Sequence, residues 1–348
     1  MRARVVIGAN FGDEGKGLVT DWLCATQGAG VVVRFNGGAQ AAHTVVTPEG
    51  ERHVFSHFGS GSFLGVPTFL SKFFVCNPIA FFDEARQLDA IGVTPDVYAH
   101  PDCLVTTFAD MIINQRMEDA RGEGRHGSVG FGVGETVVRS SMPNLQITMS
   151  DLWNRTSLRD RLTEICTKYA EFRTGAPIEK ADQMIEAFLA CCERFAESIG
   201  SAGIGQCQEP VFEGAQGLLL DQDNKEFFPH DTRSSTGLKN VLSICSGTEF
   251  GDLDIYYVSR TYMTRHGAGP LPGHDPAMSY HDDTNLDHAY QGRIRFGRLD
   301  GPALVKRCTA DAAGRDFKLV MTHCDQLASS VKADVYSFGP KRTDVTDG

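Results

Sequence analysis

The chain has 348 residues, 41% of them hydrophobic, and a formal net charge of −11. That length and apolar share suffice for a large buried core, and the negative balance, without any run of like charge, excludes the basic footprint of a nucleic-acid-binding surface. No apolar stretch is long enough to span a membrane, and the start Met1-Arg2-Ala3-Arg4 runs into a strand without a signal-peptide pattern, so a cytoplasmic protein is expected.

In chain order, the first apolar run, Val5-Val6-Ile7, empties into Gly8-Ala9-Asn10-Phe11-Gly12-Asp13-Glu14-Gly15-Lys16-Gly17. This reads as a strand ending in a phosphate-binding turn. The glycines let backbone N–H groups approach an anion, Lys16 adds a point charge, and a helix opening near Leu18 aims its N-terminus at the same anion. Asn10 and Gly17 stand where a Walker A loop needs Gly and Ser or Thr, which disfavours an ordinary kinase or GTPase. A carboxylate facing polyphosphate needs a metal ion or a proton to handle, which gives Asp13 a catalytic reading; a solvated turn with incidental charge is the alternative the loop alone leaves open.

A second strand at 31–34 opens into a small, flexible segment that ends in a single His43 and Thr44. Residues 122–134 are glycine-rich and read as a mobile loop over the site, with Arg121 and Arg125 available for anions. Residues 158–199 carry helical spacing, with Leu162, Ile165, Tyr169, Met184, Ile185, Phe188 and Leu189 as expected core contacts. Further strands are expected at 211–212, 255–259 and 319–322, each ending in a glycine-rich or polar loop. The pattern is α/β: a mostly parallel sheet with a ligand at the carboxyl ends of its strands. One domain is expected over residues 1–348, with a helical insertion around 151–205. The ten cysteines are scattered without CxxC spacing and the eleven histidines lack HExxH, so reduced thiols and no zinc are expected.

Several motifs in order add to this reading: residues 10–17, residues 38–44, Phe212-Glu213-Gly214-Ala215-Gln216-Gly217, Thr264-Arg265-His266-Gly267-Ala268-Gly269-Pro270, Gln291-Gly292-Arg293-Ile294-Arg295-Phe296-Gly297 and Ser337-Phe338-Gly339-Pro340. Together they resemble the adenylosuccinate synthetase family, from Val5 to about Thr343. The resemblance implies that family's P-loop-related fold and a C–N ligase that joins aspartate to C6 of a purine nucleotide. Replacing a 6-oxo group requires its phosphorylation, and removing the N1 proton makes that oxygen nucleophilic. By resemblance Asp13 takes the proton and helps hold Mg2+, with the Ala42 carbonyl as a second metal ligand. His43 donates to the phosphate bridge, Gln216 hydrogen-bonds the 6-oxygen, and Lys16 neutralises the transferring group. The triphosphate site implied is Gly12, Asp13, Glu14, Gly15, Lys16, Gly17, Ala42, His43 and Thr44, with Asp325, Ser337 and Gly339 toward its base. The acceptor nucleotide falls to Asp13, Gln40, Ser128, Val129, Arg139, Gln216, Thr232 and Arg293. Aspartate falls to Gln291, Gly292, Arg293 and Arg295. Arg139 is expected to reach a neighbouring subunit, which implies a homodimer.

The departures narrow the reading. His323 stands where the family has a lysine under guanine, Gln40 and Val129 alter the acceptor pocket, Tyr290-Gln291 replaces a Thr-Thr pair, and His266 replaces an apolar residue near the ribose. The combination is most similar to the phage branch of the family, the N6-succino-2-amino-2′-deoxyadenylate synthases. That implies dGMP and L-aspartate as substrates for 2-aminoadenine DNA, with ATP as donor and GTP and dATP as alternatives. Ordinary adenylosuccinate synthesis from IMP with GTP stays open, as does a non-catalytic nucleotide-binding regulator. The joint presence of Asp13, Lys16, His43, Gln216, Arg293 and Arg295 argues against the last, because a binder needs neither a base nor an aspartate clamp.

Overall fold

The computed structural model describes residues 2–125, 127–200, 208–282, 284–285 and 292–348. Among these, nine strands form one sheet, in the order Val345–Asp347, Val335–Ser337, Phe317–Thr322, Asp252–Arg260, Arg2–Gly8, Pro210–Gly217, Val31–Arg34, Thr68–Leu70 and Val97–Ala99. All neighbours run parallel except the first pair, which is antiparallel. The five strands expected from sequence are its five central strands.

Their apolar runs follow from burial on both faces. Ala3, Val5 and Ile7 of the first strand pack with Leu238, Val241 and Leu304, from the helices Leu238–Cys245 and Gly301–Ala312. Val6 points the other way, onto Leu18, Val19, Trp22 and Leu23 of the helix Lys16–Gln27. The expected helical insertion consists of Arg155–Glu164, a π turn Ile165–Tyr169, Ala170–Thr174 and Ala181–Ser198. Leu162, Ile165, Tyr169, Ile185, Phe188 and Leu189 are buried there, with Met184 partly buried against them. This core is continuous with Leu70, Val97 and Ala99 at the sheet edge, so the insertion is packed onto the sheet rather than hung from it.

Residues 122–134 are not one loop. Gly122–Gly124 is a 3-10 turn, and a helix, Val133–Ser140, begins before the segment ends. Arg121 pairs with Glu118, and Arg125 with Asp119 at 3.0 Å, so both arginines already have carboxylate partners.

Candidate active site

The carboxyl ends of the central strands, at Gly8, Arg34 and Gly217, open on a cleft of about 1190 Å³. Close approach of loops demands its glycines. A Cβ at Gly8 would lie 2.5 Å from the Gln216 carbonyl, and one at Gly217 would lie 2.3 Å from the Asn10 carbonyl. Asn36 fixes the next loop by pairing its amide with Ala215, accepting from its N–H at 2.7 Å and donating to its carbonyl at 3.0 Å.

Gly12, Asp13, Lys16, Gln40, Ala42, His43, Ser128, Val129, Gln216 and Thr232 line this one cleft. Two of them, Asp13 and Gln216, hold left-handed backbone at φ 60° and 63°, conformations costly for residues with a side chain and concentrated at functional sites. The Asp13 carbonyl accepts from Arg260 Nε, and the Ala9 carbonyl accepts from Arg307 Nε at 2.7 Å, which pins the loop from behind.

The loop differs from a bare anion nest. Glu14 is buried, and its Oε1 accepts from the Asn10 and Gly12 N–H groups at 2.9 and 2.8 Å. Lys16 Nζ donates to Glu14 Oε2 at 2.7 Å. Part of the nest is therefore filled by the chain's own carboxylate, and the lysine charge is shared with it. What stays open is the N-terminus of the helix Lys16–Gln27, which has no side-chain cap.

Sequence reasoning quoted Glu213 within a motif but gave it no role. Its carboxylate, wholly buried, accepts from His43 Nδ1 at 2.7 Å and from the Ser60 N–H at 3.1 Å, with the Ser60 hydroxyl as a further donor and Arg34 NH1 at 3.9 Å. Burial pushes this carboxyl up, but His43, Arg34 and Ser60 outweigh it and hold it at about 2. An ionised Glu213 only accepts, so it keeps a proton on Nδ1 and turns His43 Nε2 away from itself. Burial holds His43 below its usual range, with Glu213 opposing. The available signal was a carboxylate directly after the apolar run Pro210-Val211-Phe212 of a strand.

His266 was expected near a ribose. Its Nε2 lies 3.6 Å from Asp13 Oδ2, and its buried Nδ1 has no partner among the described residues. Gln40 Oε1 is likewise buried without one. Arg265 and Arg233 also line the cleft and were not assigned. Arg265 is committed to structure, donating to the Pro270 and His230 carbonyls at 2.6 and 2.7 Å and lying over the Phe11 ring at 4.3 Å.

Three expected groups are not brought to the cleft. Arg139 is a correction: it is wholly buried, with Nε and NH2 on the two Asp110 oxygens at 2.7 and 2.9 Å. Two further donors meet the Val105 and Leu145 carbonyls, so four of its five N–H groups are engaged inside its own chain, away from the cleft. Arg295 donates to the Gly267 and Gly269 carbonyls at 2.7 and 2.8 Å, bracing that loop from outside the cleft. Gly292 and Arg293 do not line the cleft, and Gln291, with Tyr290, falls outside the described residues. Asp325, Ser337 and Gly339 sit with His323 near the ends of the neighbouring strands Phe317–Thr322 and Val335–Ser337. The Ser337 hydroxyl is spent on the Gly339 carbonyl at 2.7 Å, while Thr322 ties this region to the loop by donating to the Glu14 carbonyl at 2.7 Å. Burial and Arg260 hold His323 at about 3, so the ring is neutral near pH 7. Glu14, Gly15, Gly17 and Thr44 stand behind the cleft lining, Thr44 with its hydroxyl 3.4 Å from that of Thr284.

No group of three or more His, Cys, Asp or Glu is gathered for a metal among the described residues. Asp13 and Ala42 both line the cleft, and the Asp13 carboxylate with the Ala42 carbonyl would offer hard oxygen donors. That set suits Mg2+, which takes one or two carboxylates and completes its shell with phosphate oxygens and water.

Residues 5–336 match the family model described as adenylosuccinate synthetase. Curated adenylosuccinate synthetases are similar: that of Alkalilimnicola ehrlichii is 32% identical over 284 residues, covering 77% of this chain and 64% of that one. That of Halorhodospira halophila is 30% identical over 312 residues (85% and 70%), and that of Pseudomonas fluorescens SBW25 is 31% identical over 320 (87% and 71%). The matches thus span 64% to 71% of the length of these relatives. Among solved structures, the fully ligated adenylosuccinate synthetase of Plasmodium falciparum superposes with a TM-score of 0.74 at 16% identity, covering 99% of this chain and 86% of that one. The succinoaminodeoxyadenylate synthetase of cyanophage S-2L, bound to dGMP and dATP, gives a TM-score of 0.64 at 16% identity, covering 99% and 95%.

Proposed function

The chain belongs to the adenylosuccinate synthetase family, and from that premise we propose that it joins L-aspartate to C6 of a purine nucleoside monophosphate, dGMP, with hydrolysis of ATP. The observation that carries the reading is the convergence of Asp13, Lys16, His43 and Gln216 with Ser128 and Thr232 in one cleft.

Asp13 removes the N1 proton of the base, and the 6-oxygen forms a bond to the γ-phosphorus as the bond to the leaving diphosphate breaks. Gln216 hydrogen-bonds that oxygen as its charge grows. His43, fixed through Nδ1 by Glu213, presents Nε2 to the phosphate bridge. When protonated it donates there, with Glu213 compensating its charge. Mg2+, held by Asp13 and the Ala42 carbonyl, would supply charge neutralisation on the phosphate oxygens. The amine of aspartate then attacks C6, phosphate leaves and the amine loses a proton. Arg293 and Arg295 belong to the aspartate site in this reading, and Arg295 must then leave the Gly267 and Gly269 carbonyls when aspartate binds.

Support for dGMP over IMP comes from the altered acceptor residues Gln40, Val129 and His266 and from the fold shared with a phage enzyme bound to dGMP and dATP. A neutral His323 in place of a lysine supports ATP over GTP. The ordinary IMP and GTP reaction is favoured instead by the curated relatives, which are adenylosuccinate synthetases. Phosphate release with aspartate and Mg2+, crossing dGMP, GMP, dIMP and IMP with ATP, dATP and GTP, decides. Turnover with dGMP and ATP but little with IMP and GTP is expected; the reverse pattern overturns the dGMP assignment, and no turnover with any pair overturns the ligase reading.

A further inference from the structure

The strand Asp252–Arg260 ends on a guanidinium that meets the loop of Asp13 from behind. Arg260 is 4% exposed, stands outside the lining of the cleft, and has no part in the reaction described above. Its three nitrogens go to three places. Nε donates to the Asp13 carbonyl, NH1 to the Tyr262 hydroxyl at 3.2 Å, and NH2 to Asp282 Oδ2 at 3.0 Å.

Each contact belongs to a different part of the site. Asp13 holds left-handed backbone at φ 60°, a conformation that persists only where the surroundings impose it. On one side of it the Gly12 N–H donates to the Glu14 carboxylate at 2.8 Å, and on the other the Thr322 hydroxyl donates to the Glu14 carbonyl at 2.7 Å. The Asp13 carbonyl between them is the group that Arg260 holds, and its orientation fixes ψ of Asp13 and with it the direction of the carboxylate. Asp282 carries the second contact onward: its Oδ1 accepts from the Thr284 and Asn285 N–H groups, each at 3.0 Å, and its Oδ2 accepts from the Asn285 amide at 2.7 Å. Thr284 and Asn285 line the cleft. Burial pushes the Asp282 carboxyl up, but Arg260 and these donors outweigh it and hold it at about 2, so a carboxylate faces the guanidinium. The Tyr262 hydroxyl donates to Gln326 Oε1 at 2.6 Å, and Gln326 Nε2 donates to the His281 carbonyl at 2.9 Å, which closes the network. A buried polar network with its members satisfied is rigid, and only a planar fork reaches three acceptors at once.

We propose that Arg260 is a positioning residue for proton removal: it locks the Asp13 peptide and the cleft-lining Thr284 and Asn285 into one unit, so that the carboxylate is aimed at the N1 proton of the bound base. The proposal rests on the purine-nucleotide ligase reading above and gives Arg260 a part that the motifs leave unassigned. Arg260 touches no substrate; it acts through Asp13 and Asp282.

Arg260→Lys keeps a cation opposite Asp282 and removes the fork. It should lower kcat about 10- to 100-fold, the scale of a misplaced reacting group, while KM for the nucleotide and the equilibrium binding of ATP stay within about twofold of wild type. Asp282→Asn, which leaves the Asp13 carbonyl its donor, should lower kcat less. The deciding measurement is a double-mutant cycle: in an Asp13→Ala background no carboxylate is left to aim, so Arg260→Lys should change the residual rate, read at high enzyme concentration, by less than about twofold. The solvent isotope effect on kcat should rise in Arg260→Lys, because proton removal has become slower. Should Arg260→Lys not fold, as read by its urea transition, Asp282→Asn carries the same cycle and the same isotope measurement. A kcat equal to wild type, a loss that persists undiminished in Asp13→Ala, or a lowered kcat with an unchanged isotope effect overturns the proposal. Should wild type turn over none of the nucleotide and triphosphate pairs, it is the ligase reading that fails, and this proposal with it.

Discussion

The two walls of the cleft are built on opposite principles. On the wall formed by the loop after the first strand and by His43, charged groups are buried and already paired: Lys16 with Glu14, and His43 and Arg34 with Glu213. On the wall formed by residues 127–134 and 232–233, hydroxyls and a guanidinium face the cleft, and Arg233 is exposed. The first wall is set before any ligand arrives, which is what charge stabilisation at a reacting phosphoryl group needs. The second is less committed, although the Ser128 hydroxyl already donates to Asn114 Oδ1 at 2.8 Å, and it contributes binding. Substitutions on the two walls should therefore fail differently, the first in rate and stability, the second in affinity.

The largest effect is expected at Asp13, the one carboxylate of the first wall that keeps a partly exposed side chain. Asp13→Ala should lower kcat by about 10²- to 10⁴-fold, the usual worth of a positioned base, with triphosphate binding retained in equilibrium titration. Turnover close to wild type would remove Asp13 as the base and erase the distinction between the walls at its strongest point.

Glu213 sharpens the comparison because its role is structural and chemical at once. Glu213→Gln leaves Arg34 buried without its counter-charge, and losing one partner of a buried pair costs about 3–5 kcal/mol, read as a lower urea midpoint. The same group sets an acid limb. Its carboxyl is held at about 2 against an ordinary 4.5, so its contribution is complete above pH 4.5 and is lost as the pH falls from 4.5 toward 2. At about 1.4 kcal/mol per unit, that is on the order of 3 kcal/mol. Wild type should lose urea resistance through that window more steeply than Glu213→Gln, and parallel curves would mean that the charge of Glu213 is not what the pair stabilises.

How far the sequence reached divides along the same line. The first wall was legible because its strands, buried on both faces, read as continuous apolar runs such as Val31-Val32-Val33, and because a loop between a strand and a helix is a local feature. The two outermost strands on one side, Thr68–Leu70 and Val97–Ala99, are three residues each, too short to show a period, and exist only through pairing with a distant neighbour. The second wall depends on where the helix Val133–Ser140 docks, which no local pattern encodes. Arg139 was placed by its resemblance to a family motif, and its partner Asp110 lies 29 positions earlier in the chain. Arg233 left no mark in the sequence, since a lone arginine after Thr232 has no periodicity to distinguish it from a solvated turn.

The smallest effect is expected at Arg125, and it tests whether the second wall begins at the cleft or at its rim. Sequence put Arg125 on an anion-gathering loop, yet its guanidinium lies 3.0 Å from Asp119 with side-chain exposures of 37% and 59%. An ion pair that exposed is screened by water and salt and contributes about 0–1 kcal/mol, and the carboxylate already cancels the field an approaching phosphate would feel. Arg125→Ala should therefore change KM for the nucleotide less than about twofold, with melting unchanged within the usual scatter for surface sites. A large rise in KM, deepening as salt is lowered, would show that the rim itself steers the anion and that capture begins outside the cleft.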